Sequence, residues 1–66
     1  MVVKIIEIVG VSTKNFEDAI QSGVSRASKT VKNINGVDVI GQTAKVHEGK
    51  ITEFHVDMKL AFVVED

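Results

Sequence analysis

The 66-residue sequence contains no cysteine, proline, tryptophan or tyrosine. Without cysteine no disulfide framework is possible. With two histidines and no C-x-x-C pair the structural zinc patterns are missing as well. A chain this short has a poor ratio of core to surface, so with both staples excluded, association with further copies is the remaining source of stability. The lack of cysteine fits a reducing compartment, and a cytoplasmic location is the expectation. With no tryptophan or tyrosine there is little on which bases could stack. A formal charge of −1 with both signs interspersed leaves no basic patch, which argues against nucleic acid as a partner. No apolar run reaches membrane-spanning length. The first, Val2 to Val11, is interrupted by Lys4 and Glu7 and does not read as a signal peptide.

What is present is a chain that is 44% hydrophobic, with no linker, repeat or low-complexity segment. It reads as one ordered domain over residues 1–66. The organising stretch is Ser12 to Val31. There Phe16, Ala19, Ile20, Gly23, Val24, Ala27 and Val31 recur at steps of three and four, which predicts a helix of about 20 residues with one apolar face. Ser12 is the expected N-cap; Glu17 and Asp18 fall early, and Lys29 and Lys32 late, as the helix dipole favours.

Residues 2–11 are β-branched and predict a strand. Val2, Lys4, Ile6 and Ile8 share one side, and Val3, Ile5, Glu7 and Val9 the other. Both sides are largely apolar, and a lone two-layer domain can cover only one of them. Asn33 and Asn35-Gly36 mark the exit from the helix. Two further strand-like runs follow, from Val37 to His47 and from Lys50 to Glu65, joined at Glu48-Gly49 by a tight turn in which Gly49 takes positive φ. The last run alternates most clearly, with Phe54, Val56, Met58, Leu60, Phe62 and Val64 toward the helix. A two-residue turn sets Val39 opposite Met58, Val37 opposite Leu60, Asp38 opposite Lys59 and Gln42 opposite His55. The expected class is α+β, in the order β-α-β-β, with a three-stranded antiparallel sheet wrapped around one helix.

Few residues suggest chemistry. No nucleophile, base and orienting group can be assembled: the serines sit around a helix, and neither His47 nor His55 has a carboxylate placed by sequence to orient it. Gly10 stands alone between strand and helix, so the glycine-rich phosphate fingerprint is missing. An enzyme is not expected. Glu53, His55 and Asp57 share a strand face; one protomer offers too few ligands for a cation, which leaves either a solvated face or a site completed at a symmetry axis. Gln42 is either a polar contact for a ligand or a partner for His55 alone. Asp38 and Lys59 read as a cross-strand pair, and Met58 as core.

Glu7, Val9-Gly10, Ser12, Phe16, the run Arg26-Ala27 with Thr30, Val39, Glu53, Val56 and Phe62 together resemble the dodecin family over nearly the whole chain. The resemblance implies a hollow homododecamer that stores flavin without catalysis, holding FMN, FAD or riboflavin at subunit interfaces. Flavin-binding relatives stack the ring on a tryptophan at the helix-to-strand junction and bond its edge with a glutamine on the last strand. The matching positions here are Gly36 and His55. Losing a stack worth about 1–3 kcal/mol implies binding weaker by roughly 10- to 100-fold. The ligand set that follows is Asn35, Gly36, Val37, Asp38, Gln42 and His55, with no metal ligand. The alternative is a structural or cation-binding shell that has given up flavin.

Overall fold

The computed structural model describes residues 1–65. Strand β1 (Val2–Ser12) leads into helix α1 (Phe16–Ala27), followed by β2 (Ile34–His47) and β3 (Lys50–Val64). The three strands form one antiparallel sheet in the order β1-β3-β2. The expected β-α-β-β architecture is therefore the one observed.

The helix is shorter than its apolar periodicity predicts, and Ser12 is not its cap. Asn15 caps it instead: its backbone is extended, and its Oδ1 accepts from the amide of Asp18 at 2.7 Å. Ser12 ends β1, buried. Its hydroxyl accepts from the Lys14 amide at 2.9 Å and donates to Asp18 Oδ2 at 2.7 Å, so it fastens the strand end to the first helical turn. At the other end the Ser28 hydroxyl bonds back to the Val24 carbonyl at 2.8 Å, and tighter turn bonds at Lys29 and Thr30 replace the helical ladder. Lys29 and Lys32 consequently lie beyond the helix, and Arg26 is the basic residue of its last turn. Asn33, at φ 65°, then reverses the chain, a conformation that asparagine tolerates better than most residues.

The core is small. Ala19, Val56, Met58 and Leu60 are fully buried, with Ile6, Ile8, Phe16, Ile20, Val24, Ala27 and Ile34 packed around them. Phe16 meets Phe54 edge-to-face, with centroids 5.0 Å apart. Two glycines let α1 approach the sheet this closely. A Cβ on Gly10 would run into the carbonyl of Ala19, and one on Gly23 would lie 3.0 Å from Met58 Cε.

The hairpin turns at Glu48 (φ 51°) and Gly49 (φ 79°), the two positive angles of a type I′ turn. Its register has two compensating irregularities nearer the turn, and a third between Ile34 and Gly36. His47 faces Lys50 and Val46 faces Ile51, but Lys45 faces Glu53; the original alignment returns at Val39 opposite Met58, with Val37 opposite Leu60 and Asp38 opposite Lys59. Between the two breaks every pair is moved by one residue. Gln42 therefore faces Val56, and Thr43 faces His55.

Twelve helical residues span about 18 Å, whereas fifteen strand residues span about 50 Å, in keeping with molecular extents of 51 × 20 × 13 Å. The helix packs on β1 and β3 and covers about a third of the length of the sheet. Val37 and Val39, on the helix side of β2, remain exposed. The far side of β1 is exposed too, with Ile5 at 56% and Val9 at 58%.

Candidate functional site

Directly opposed residues of an antiparallel sheet share a face, so the register lays out the side turned away from the helix row by row. Ile5, Ala61 and Gly36 form one row. Glu7, Lys59 and Asp38 form the next, then Val9, Asp57 and Gly41, then Val11, His55 and Thr43. Two shallow clefts open on this outer face. The first, about 510 Å³, is lined by Ile5, Gly36, Val37, Asp38, Lys59 and Ala61. The second, about 540 Å³, is lined by Glu7, Val9, Gly41, Thr43, His55 and Asp57 among others.

Of the residues expected to touch a ligand, Gly36, Val37 and Asp38 border the first cleft and His55 the second. Asn35 sits at the break in register just before Gly36 and has no direct partner on β3. Gln42 is displaced. Its pairing with Val56 puts it on the helix side, so it neither shares a face with His55 nor can serve as that imidazole's partner. The reason is the extra residue at Ile40, which inverts the alternation of the next few positions. The partner of His55 is Glu53, whose Oε1 lies 2.9 Å from Nε2. A carboxylate does hold this histidine, contrary to the expectation from spacing.

Gly36 is not a turn glycine. Its φ is not positive, it pairs with Ala61 inside β2, and a Cβ there would make an ordinary contact of 3.6 Å with the Ala61 Cβ. Of the residues read as marking the helix exit, Asn33 is the one with positive φ. What Gly36 leaves is a gap in the wall of the first cleft.

The outer face also joins two carboxyl groups that lie diagonally across β1 and β3. Asp57 holds the Glu7 carboxyl above the usual carboxylate range, first by hydrogen bonding to its protonated form and then by its negative charge, while Lys59 across the strand pulls the other way. Asp57 Oδ1 is enclosed and has no hydrogen-bond partner. Glu7 was visible in the sequence as the one acid on the second side of β1. Its neighbour could be named only once the pairing of β1 with β3 was known.

The profile of the dodecin family matches residues 2–65. The chain belongs to the dodecin family. A dodecin of Thermus thermophilus is 31% identical over 65 residues, covering 98% of this chain and 94% of that relative. Among solved structures, the dodecin of Streptomyces coelicolor superposes with a TM-score of 0.95 at 26% identity, over 98% of this chain and 93% of that one. A calcium-chelating dodecin of Mycobacterium tuberculosis, with a novel calcium-binding site, superposes with a TM-score of 0.85 at 32% identity, over 98% and 93% of the two chains. The dodecin fold thus accounts for the strand order, the short helix and the long hairpin together. Among the described residues no group of three or more His, Asp or Glu is placed to hold a metal ion.

Proposed function

We propose that this dodecin is a non-catalytic, cytoplasmic binding protein. It assembles as a closed homo-oligomer, twelve subunits by family, and holds flavin or a similar planar heteroaromatic ring between subunits. The observation that carries the reading is the layout of the outer face. Gly36 and His55, which match the two ligand-contacting positions of flavin-binding relatives, are both on it, yet Ala61 and His55 are six residues apart along β3. At about 3.3 Å per residue that is about 20 Å, too far for one ring to touch both within a protomer. A ring bonded by both positions therefore lies where two copies meet. The exposed apolar side of β1 gives those copies a surface to bury.

Binding is weaker than in relatives that carry the tryptophan. The double substitution Gly36→Trp with His55→Gln tests this, and the extended backbone at Gly36 removes the risk of strain. Riboflavin affinity should rise by the 1–3 kcal/mol typical of about one stack plus about 1 kcal/mol for a better-matched hydrogen bond. An intact oligomer that binds riboflavin no better than the parent would count against a flavin site.

The second reading, a cation-binding shell, draws on the enclosed, unpartnered Asp57 Oδ1 beside Glu7 and on the likeness to a calcium-chelating relative. It requires copies of these carboxylates to meet at a symmetry axis. Calorimetric titration with calcium separates the readings, since a flavin store shows no saturable calcium heat.

A further inference from the structure

The three asparagines of the chain are held very differently. Asn15 commits its Oδ1 to the amide of Asp18 at 2.7 Å and is followed by Phe16. Asn33 donates from Nδ2 to the Val63 carbonyl at 3.4 Å, its own carbonyl accepts from the Val63 amide at 3.2 Å, and the β-branched Ile34 comes next. Asn35 has none of these restraints. It is exposed, its side chain makes no hydrogen bond among the described residues, and it falls in the register break between Ile34 opposite Phe62 and Gly36 opposite Ala61, so no residue of β3 faces it. The residue after it is glycine, which puts no Cβ in the way of a side chain folding back onto the next backbone nitrogen.

We infer that Asn35 is a modification site at which the chain deamidates itself, with water as the only co-reactant. The Gly36 backbone nitrogen attacks Asn35 Cγ, a new N–C bond forms and the Cγ–Nδ2 bond breaks; the displaced nitrogen leaves as ammonia, taking up the proton that the Gly36 amide loses. A five-membered succinimide results. Water then opens the ring at one or other carbonyl, giving aspartate, or isoaspartate in which the main chain runs through the former side-chain carbon. Nothing is oxidised or reduced. The surroundings leave room for the ring, since even a Cβ on Gly36 would meet only the Ala61 Cβ, at 3.6 Å. The product alters a functional surface. Gly36, Val37 and Asp38 border the first outer cleft, whose one cation, Lys59, already stands between Glu7 and Asp38. A carboxylate at position 35 adds uncompensated negative charge beside it, and isoaspartate lengthens the main chain of β2 by a methylene at its break in register. Aged subunits therefore differ from new ones at the wall of that cleft.

The test is peptide mapping by mass spectrometry of the intact protein, held at neutral pH and physiological temperature and sampled over time. Trypsin releases residues 33–45 apart from residues 15–26, so Asn15 is read in its own peptide, and fragmentation separates Asn33 from Asn35. Residue 35 should convert progressively to a mixture of aspartate and isoaspartate, with the mass gain of an NH2-to-OH exchange, while Asn15 and Asn33 stay intact. Gly36→Ala should slow the conversion severalfold. Asn35→Gln should abolish it, because the ring would have to be six-membered. The urea-unfolded chain is the reference, and it should convert at Asn35 as well. Folded protein that stays unmodified there while the unfolded chain converts would overturn the proposal, since the fold would then protect the site. Aspartate formed without isoaspartate would overturn it too, as would a Gly36→Ala variant converting as fast as the parent. The flavin reading is untouched by any of these outcomes.

Discussion

Replacing Gly10 with alanine adds one methyl group at the point where the backbone of β1 touches the backbone of α1. The new Cβ would fall well inside contact distance of the Ala19 carbonyl oxygen, 3.0 Å from the carbonyl carbon and 2.9 Å from Met58 Cε. A methionine tip can swing aside; a helical carbonyl cannot, because it is fixed by the helix it belongs to. The helix must lift, and Ala19, Met58 and Gly23, packed at the same spot, lose contact together. Overpacking a core costs about 1–3 kcal/mol when side chains absorb it, and with backbone as the obstacle the upper end of about 3 kcal/mol is the expectation. Since about 1 kcal/mol moves the midpoint of a domain this size by roughly 4–8 °C, the thermal midpoint should fall by about 10–25 °C. Gly41→Ala is the control, because a Cβ there meets nothing within 4 Å. Thermal unfolding followed by circular dichroism, at one fixed protein concentration so that the two midpoints are comparable, reads both variants. A Gly10→Ala midpoint equal to that of Gly41→Ala would refute the close-contact argument.

Met58→Ala removes the largest fully buried side chain and should cost about 2–5 kcal/mol, enough to abolish folding or assembly; a soluble oligomer with an unchanged midpoint would contradict its place at the centre of the core. Asn15→Ala should cost about 1 kcal/mol by deleting the N-cap, and urea denaturation showing no loss would return that role to Ser12. The raised pKa of Glu7 predicts a pH dependence of definite sign. The contribution of a group whose folded pKa is raised is complete below its ordinary value of 4.5 and is lost as pH rises through the folded value. Glu7→Gln should therefore gain stability relative to the parent as pH climbs from below the carboxylate range to neutral. Midpoints of the two proteins measured across that range should diverge, and parallel curves would refute the raised pKa of Glu7.

Element order, strand faces and the hairpin turn were legible because each rests on local patterning. The alternation from Phe54 to Val64 can satisfy only one strand orientation, and Glu48-Gly49 supplies the positive φ angles that a two-residue turn demands. The helix ends were less legible. Ser12 and Asn15 are both good caps, and the choice between them depended on Ser12 being drawn into the strand end and bonded to Asp18. Gln42 was misplaced for a similar reason. A bulge at Ile40 leaves no mark in an apolar run, yet it turns over each side chain from Gly41 to Lys45. The candidate site was visible only as separate letters. Gly36 and His55 could be found by resemblance, but their separation along β3, the grouping of Glu7 with Asp57 and the bond from Glu53 to His55 are consequences of pairing.

The sequence by itself determined the class of fold and the apolar faces, since these follow from composition and from periods of two and of three to four residues. Tertiary structure alone decided which charged groups stand beside one another. Strands distant in sequence meet at a register set by bulges, a turn and the approach of two glycines to their neighbours, and an error of one residue in that register exchanges the two faces of the sheet.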